Sequence, residues 1–314
     1  MSKPMHAAAD GGTDITARTL RDWALPQPSF DGDKEVRGHV LIVGGAREMP
    51  GAVMLAATAA LRAGAGKLTI ATAASVAPLV GMAIPEARVI GLAETANGGF
   101  TLEAARKLGE LAGKAGALLV GPGMQDDGAT AELVHALLPR FAGTAIVLDA
   151  CAMGAVRMAG EAHLLDEPKD MAHFRFAEPV LLTPHAGELA HLTDQDKDDV
   201  AADPQAAAVA AARRWNAVVA LKGATTVIAA PGGQHWRHEG GNIGLAISGS
   251  GDALAGIIVG LAARGASLEQ AAAWGVALHA SAGEQLSIKY GVLGYLAREI
   301  SAEVPGLLRT LAPA

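Results

Sequence analysis

The chain has 314 residues, of which 51% are hydrophobic and 18% charged, and its formal net charge is −7. This acidic balance argues against a broad electrostatic surface for nucleic acid, because such surfaces usually carry clustered positive charge. The longest apolar runs, such as residues 254–263, reach only about half of the ~18 residues that a membrane span needs, and the first thirty residues hold no apolar block typical of a signal peptide. We therefore expect a cytoplasmic protein that does not contact a membrane.

The elements predicted along the chain alternate between strands and helices. Residues 1–28 show no apolar period, and we expect them to form a tail or an arm that packs on a neighbouring molecule. Further on, residues 225–238 predict a β-hairpin, and residues 252–311 predict mostly helix. Between these regions, nearly continuous apolar runs predict strands covered on both faces at 39–45, 67–72, 87–92, 117–123, 145–150, 179–184 and 217–223.

Segments rich in Ala and Leu, of helical length, separate most of these strands. Residues 50–64 are typical, with Pro50 near the start of the helix and Gly64 just past its end. The alternation predicts a three-layer α/β/α sandwich with a mostly parallel central sheet. Since no linker or repeat is present, we expect one domain at 35–314, preceded by an N-terminal extension at 1–34.

The common signatures of other binding sites are absent. No G-x-G-x-x-G follows a strand, and in "GAGKLT" the residue after the lysine is Leu68, where a phosphate-binding P-loop requires Ser or Thr. His235 and His238 are close in sequence, but on a hairpin we expect them to be surface residues and not metal ligands. The single cysteine, Cys151, excludes an internal disulfide framework, and we interpret it as a small core residue in preference to a nucleophile.

The stretch "NIGLAISGSGDALAG" (242–256) contains the strongest candidate for a site. The apolar spacing predicts a helix that begins near Asp252, and Gly249 and Gly251 would let the backbone approach an anion at the helix N-terminus. Two interpretations stay open. Ser250 or Asp252 could be a simple helix cap, or Asp252 could be a general base beside an anion hole, which alone explains the alternating glycines.

Three further loops follow predicted strands in the same way. They are "VGPGM" (120–124), "LLTPHAGELAHL" (181–192) with His185 and Glu188, and "ALKGATT" (220–226) with Lys222. Because ligands in open α/β sheets bind outside the carboxyl ends of the strands, we expect these loops to converge with Asp252. The set predicts phosphoryl transfer to an alcohol, with Asp149 as the nearest contender for a second acid.

At this point the chain resembles a known family. The segments 38–72, 121–123, 147–150, 182–189, 221–229 and 241–265 resemble the ADP-dependent NAD(P)H-hydrate dehydratases, a branch of the ribokinase-like superfamily, in the order in which that family has them. The resemblance implies a ribokinase-like fold and repair of the S-form of hydrated NADH or NADPH, with ADP as co-substrate, Mg²⁺, and AMP and phosphate as products. It also implies a homo-oligomer, in particular a tetramer, and, if an epimerase is needed, one that is a separate protein.

The resemblance further implies a role for individual residues. Asp252 would be the catalytic base and a substrate contact, and Gly249, Ser250 and Gly251 would form the anion hole. Positions that would contact the hydrated dinucleotide are Ala52, Gly123 and His185, and those that would contact the nucleotide are Lys222, Gly223, Ala224, Thr225, Thr226, Asn242 and Gly251.

Two departures from the family pattern and two competing functions remain. Cys151 stands where the family often has Asp, and Ile247-Ser248 stand where it often has Thr-Gly. The alternative enzyme is a small-alcohol kinase of the hydroxyethylthiazole type, although that family usually has Cys at the position of Asp252. A nucleotide-binding protein without catalysis is the alternative from another class, and it would need no base.

Overall fold

The computed structural model describes residues 12–28, 34–158 and 174–311. Ten strands in these residues form one sheet: β1 (Thr13–Asp14), β2 (His39–Val43), β3 (Lys67–Ala73), β4 (Arg88–Leu92), β5 (Ala117–Val120), β6 (Ala145–Leu148), β7 (Val180–Leu182), β8 (Ala217–Leu221), β9 (Thr225–Ala229) and β10 (His235–Glu239). The α-helices are α1 (Ala17–Asp22), α2 (Pro50–Arg62), α3 (Ala77–Ala83), α4 (Glu103–Gly109), α5 (Asp127–Leu137), α6 (Ala155–Met158), α7 (Ala186–Thr193), α8 (Lys197–Ala202), α9 (Pro204–Trp215), α10 (Ser250–Ala263), α11 (Leu268–Tyr290) and α12 (Ala297–Leu311).

The strand order across the sheet is β1-β10-β9-β8-β7-β6-β5-β2-β3-β4. The pairs β8–β9 and β9–β10 are antiparallel, and the others are parallel. The chain moves outward from β2 to β3 and β4, and then returns to place β5 on the other side of β2. This reversal creates the crevice in which α/β sheets of this kind bind ligands.

Apolar strands covered on both faces explain the layers. Every residue of β2, β5, β7 and β8 is buried, as continuous apolar runs require. Helices α2, α10, α11 and α12 pack against one another, while α4, α5, α7, α8 and α9 pack elsewhere on the sheet. The predicted α/β/α sandwich with a mostly parallel sheet is confirmed.

The predicted strands are all present, with small differences at their ends. The run predicted to extend from 117 to 123 ends as a strand at Val120, because Gly121 adopts a φ of +131°. A Cβ at Gly121 would lie only 1.8 Å from the carbonyl oxygen of Asp149, so this close turn requires glycine. The hairpin and the helical C-terminal region are also as predicted.

The N-terminal segment differs from the prediction. We expected residues 1–28 to form a tail or an arm that packs on a neighbouring molecule, but residues 12–28 pack on their own chain, and residues 1–11 lie outside the described residues. Strand β1 pairs with the edge strand β10, and the Trp23 ring stacks on Trp236 at 5.4 Å. The Nε1–H of Trp274 donates to the carbonyl oxygen of Trp23. The edge of the sheet is therefore covered by the chain itself, while the boundary at residue 34 stays a prediction.

Candidate active site

The N-terminus of α10 lies open toward a cavity. Its N-cap residue is Gly249, with a φ of +90°, and no side chain caps the helix. The amide of Ser250 donates to the carbonyl oxygen of Ile247, whereas the amides of Gly251 and Asp252 donate to no acceptor in the described part of the chain. Neither Ser250 nor Asp252 is the cap, so the simple capping interpretation is wrong and unpaired N–H groups remain for an anion.

Asp252 lies in the first turn of α10, and its carboxyl group has a raised pKa. Burial is the main cause, the negative charge of Asp149 adds to it, and the positive charge of Lys222 opposes it. Together they raise the pKa of Asp252 to about 6. A carboxylate with this pKa is mostly ionised at neutral pH but is a stronger base than an ordinary aspartate, which suits proton abstraction near pH 7.

Lys222 follows β8 and lies between two acids. Its Nζ is 3.6 Å from Asp149 Oδ1 and 3.7 Å from Glu188 Oε2. The amide of Lys222 donates to the carbonyl oxygen of Pro184, which joins the loops after β7 and β8. The Thr183 hydroxyl donates to Asp149 Oδ1 at 2.6 Å and orients that buried carboxylate. The loops after β7 and β8 therefore converge as predicted, and Asp149, the contender for a second acid, lies beside them.

His185 is held at the start of α7 by a reciprocal capping box with Glu188. The amide of His185 donates to Glu188 Oε2 at 2.7 Å, and the amide of Glu188 donates to His185 Nδ1 at 3.1 Å. Because Nδ1 accepts, the ring proton of neutral His185 is on Nε2. Glu188 thus fixes the His185 ring while its carboxylate faces Lys222.

A cavity of about 710 Å³ runs from the loop after β8 to the N-terminus of α10. Its apolar walls come from residues such as Leu245, Leu254 and Val276. A volume of this size is typical of sites that hold a small molecule. The predicted site residues that line it are His185, Lys222, Gly223, Ala224, Thr226, Asn242, Ser250 and Gly251.

The other predicted site residues are Ala52, Gly123, Thr225, Gly249 and Asp252, and they do not line this cavity. Thr225 is the first residue of β9, beside the wall residues Ala224 and Thr226, and Gly249 precedes Ser250. Asp252 is close enough to Lys222 for that charge to affect its pKa. Ala52 and Gly123 lie apart from the cavity but beside each other, since a Cβ at Gly123 would lie 2.8 Å from the Ala52 Cβ.

Helix packing relates Ala52 to Asp252. A Cβ at Gly256 would lie 2.2 Å from the carbonyl oxygen of Ala56, and one at Gly260 would lie 2.6 Å from that of Ala60, so α2 and α10 run parallel in register. In this register Ala52 is the position of α2 that corresponds to Asp252 of α10, one turn nearer the N-termini.

Three polar residues of the site carried no signal in the sequence. Besides Thr183, they are His279 of α11 and Tyr295. The Tyr295 hydroxyl and the Gly244 amide both donate to Asn242 Oδ1 at 2.9 Å. Asn242 Nδ2 is then a buried donor with no acceptor among the residues that the structure describes. An isolated His or Tyr in an apolar segment is usually a core residue, and only the tertiary contacts of these two residues point to a role.

Of the predictions about isolated residues, the one for His235 and His238 needs correction, and the one for Cys151 is confirmed. His235 and His238 are half-buried and not surface residues, because β1 covers β10; His238 Nδ1 is 3.1 Å from the carbonyl oxygen of Ile15, and His238 lines the cavity. Cys151 packs against the core, but it also lines a second cavity of about 430 Å³. Burial and the Asp127 carboxylate raise the pKa of the Cys151 thiol to about 12, which does not suit a nucleophile.

Two further properties concern the described residues as a whole. Across residues 12–28, 34–158 and 174–311, no helix has both the length and the hydropathy required to span a bilayer. In the same ranges, no three side chains of His, Cys, Asp or Glu are grouped in a way that could hold a metal ion by themselves.

The fold defines a structural class, the ribokinase-like fold. A ribokinase-like superfamily protein of Enterococcus faecalis matches with a TM-score of 0.77, covering 98% of this chain and 99% of the other at 24% identity. At that identity the likeness shows the fold alone.

The chain belongs to the NAD(P)H-hydrate dehydratase family, whose family model matches residues 40–306. The ADP-dependent (S)-NAD(P)H-hydrate dehydratase of Xanthomonas campestris is 48% identical over 95% of this chain and 96% of its own length. An ADP/ATP-dependent NAD(P)H-hydrate dehydratase of Bacillus subtilis, co-crystallised with ATP/Mg²⁺, matches with a TM-score of 0.78 at 29% identity, covering 95% of this chain and 98% of the other. The chain spans about half the length of the bifunctional repair enzymes it matches.

Proposed function

We propose that this chain is an ADP-dependent dehydratase that converts the S-form of hydrated NADH or NADPH to the intact cofactor, with release of AMP and phosphate. One observation carries the proposal: Lys222 and the ionisable Asp252 stand beside the uncapped N-terminus of α10 at the carboxyl edge of the sheet. The name of the 48% identical relative supports this choice of substrate and co-substrate.

The cavity suits the nucleotide. Its polar side offers the Lys222 ammonium and the Thr226 hydroxyl, and the buried Nδ2 of Asn242 needs an acceptor that a phosphate oxygen would provide. The unpaired amides of Gly251 and Asp252 would hold the phosphoryl group that is transferred. The hydrated nicotinamide would lie on the other side of Asp252, toward Ala52 and Gly123.

The chemistry follows from the poor leaving ability of hydroxide. Asp252 accepts the proton of the hydrate hydroxyl as the hydroxyl oxygen forms a bond to the β-phosphorus of ADP, and the bond from that phosphorus to the bridging oxygen breaks to release AMP. The ring then loses phosphate, which takes the electrons of the C–O bond. A proton leaves the neighbouring ring carbon, and the double bond of the reduced nicotinamide is restored.

The acidic side chains beside Lys222 fit Mg²⁺. Mg²⁺ usually takes one or two carboxylates and fills its other positions with water and nucleotide phosphates, so it does not need a cluster of three protein ligands. Asp149 and Glu188, each within 3.7 Å of Lys222 Nζ, would hold it. When bound, Mg²⁺ would neutralise charge on the phosphate oxygens.

The alternative of a hydroxyethylthiazole-type kinase has less support. The family model that matches residues 40–306 is that of the hydrate dehydratases, and the 48% identical relative carries the same activity in its name. An aspartate, Asp252, also occupies the position at which a cysteine would favour the kinase.

The test is turnover of enzymatically hydrated NADH, followed by the return of reduced-nicotinamide absorbance. We expect absorbance to return with ADP, with one AMP and one phosphate released for each cofactor restored. ATP in place of ADP shows whether the nucleoside diphosphate is required. No return of absorbance with either nucleotide would refute the proposed reaction.

The role of Asp252 is tested by Asp252→Asn, which removes the base but keeps the shape of the side chain. We expect kcat to fall by about 10²–10⁴-fold, the usual contribution of general acid–base catalysis, while AMP still binds in calorimetry. Asp22→Asn, on an exposed turn of α1, is the matched control and should keep full activity. If Asp252→Asn turned over like this control, Asp252 would not be the base.

A further inference from the structure

His279 touches the first residue of α10 although it belongs to another helix. Its Nε2 is 2.9 Å from Ser250 Oγ and 3.1 Å from the carbonyl oxygen of Ser250. Both residues line the cavity, together with Gly251 and Lys222. The contact lies where an anion would meet the helix N-terminus, so it bears directly on the proposed anion hole.

The geometry of this contact determines which ring nitrogen carries the proton. If Nε2 were an acceptor, its lone pair would face the lone pairs of the Ser250 carbonyl oxygen at 3.1 Å, which is repulsive. If Nε2 carries the proton, its N–H donates to that carbonyl oxygen and to Ser250 Oγ in one three-centre hydrogen bond. The ring also stays uncharged near neutrality, since burial and the charge of Lys222 outweigh the Ser250 carbonyl and lower the pKa of His279 to about 4.

The consequence concerns the hydroxyl proton of Ser250. With Nε2–H as the donor, Ser250 Oγ acts as the acceptor in this contact, and its own proton is available to another group. In the residues that the structure describes, no carbonyl or carboxylate oxygen accepts from Ser250 Oγ. The cavity is the remaining place for an acceptor.

We propose that His279 is a positioning residue that orients the Ser250 hydroxyl so that it donates to the phosphoryl group held at the N-terminus of α10. This inference deepens the proposed function and rests on it for the identity of the anion. A hydroxyl donor to a charged oxygen forms a strong, short hydrogen bond. A donor that is oriented before the reaction favours the developing charge of the transition state over the ground state.

The first test is kinetic. Ser250→Ala removes the donor, and we expect a loss in kcat of about 10²-fold, as for other donors of anion holes. His279→Phe keeps a ring of similar size but removes the nitrogen, and we expect a loss in kcat of about the same size, with the KM for ADP raised by no more than about tenfold. His279→Gln, whose amide retains an N–H donor near this position, should recover most of the activity.

A double variant separates positioning from general stability. If His279 acts through the Ser250 hydroxyl, His279→Phe should have no further effect on kcat in the Ser250→Ala background. The matched control is His135→Phe, which removes a ring-to-carbonyl hydrogen bond of 2.9 Å to Ala155. His135 is half-buried like His279, but it does not line the cavity. We therefore expect His135→Phe to cause no loss in kcat. The proposal would be overturned if the losses in kcat of His279→Phe and Ser250→Ala were additive in the double variant. It would also be overturned if His279→Phe and His135→Phe lowered kcat equally.

The second test does not depend on the dehydratase reaction. Ring ¹⁵N spectra of the wild-type protein should show His279 as the neutral Nε2–H tautomer throughout the range from pH 5 to 8. Titration with inorganic phosphate should show weaker binding, by about tenfold, in both Ser250→Ala and His279→Phe. An Nδ1–H tautomer, or phosphate affinities equal to that of the wild type, would refute the positioning role even if the dehydratase activity is found. If the tautomer and the phosphate affinities are as expected but hydrated NADH is not turned over, the proposed reaction is refuted and the positioning role stands.

Discussion

The close packing of α2 against α10 makes Gly256→Ala an informative substitution. A Cβ at residue 256 would lie 2.2 Å from the carbonyl oxygen of Ala56, 2.7 Å from its Cα and 2.8 Å from its carbonyl carbon. All three atoms are backbone atoms of a buried helix, so no flexible side chain can move aside. The two helices would have to separate by about 1 Å to restore ordinary contact distances.

The cost follows from that displacement. Overpacking of a core by one methyl group usually costs about 1–3 kcal/mol, and for a protein of this size that corresponds to a decrease in Tm of about 2–5 °C. Because α10 carries the anion hole and Asp252 at its N-terminus, a shift of this size should also lower kcat by about 10²-fold. The expected result is therefore a modest loss of stability with a large loss of activity.

Thermal unfolding and the absorbance assay, on the same preparations, measure both effects. Gly306→Ala in α12 is the matched control, since a Cβ there would meet nothing within 4 Å and alanine favours a helix by up to about 1 kcal/mol over glycine. This control should keep its kcat and have an equal or higher Tm. A Gly256→Ala protein as stable and as active as Gly306→Ala would show that the close approach of α2 and α10 does not position the site.

Three further outcomes follow from the geometry. The log of kcat should fall as the pH decreases through about 6, because the pKa of Asp252 is raised and the base is lost on protonation below it; an acidic limb near the ordinary value of aspartate would contradict the buried environment. Iodoacetamide should alkylate Cys151 far more slowly at pH 8 in the native protein than in guanidinium, because the raised pKa keeps the thiol protonated, and equal rates would refute this. Tyr295→Phe removes the donor that fixes the Asn242 amide and should raise the KM for ADP by about tenfold with a smaller change in kcat; an unchanged KM would show that the orientation of Asn242 does not matter for nucleotide binding.

Much of the fold could be predicted from the sequence because its signals are local. Strands such as His39–Val43 and Ala217–Leu221 are continuous apolar runs, and Pro50 marks the start of α2. The helix predicted near Asp252 begins at Ser250, within two residues. Spacing of apolar residues and the positions of Gly and Pro act over a few residues, so they can be read without tertiary structure.

The mostly parallel arrangement of the strands and the convergence of the loops were also predictable in outline. A parallel sheet brings the carboxyl ends of its strands to one edge, which is why His185 and Lys222 could be expected to meet. Their backbones are joined by the hydrogen bond from the Lys222 amide to the Pro184 carbonyl. The chemistry of the site thus followed from topology before any distance was known.

Other features depend on contacts between residues distant in the chain, for which the sequence holds no local signal. Strand β1 has only two residues, Thr13 and Asp14, and forms because β10 leaves an edge to pair with. Ser250 and His279 are 29 positions apart on different helices, yet they share a hydrogen bond. The sequence by itself determined the elements and the reactive residues, whereas tertiary packing placed the half-buried Asp252 near Asp149 and His279 beside Ser250. Burial and long-range Coulomb interactions exist only once the helices have packed on the sheet, and for that reason only the tertiary structure could supply the pKa values and the orientation of the anion site.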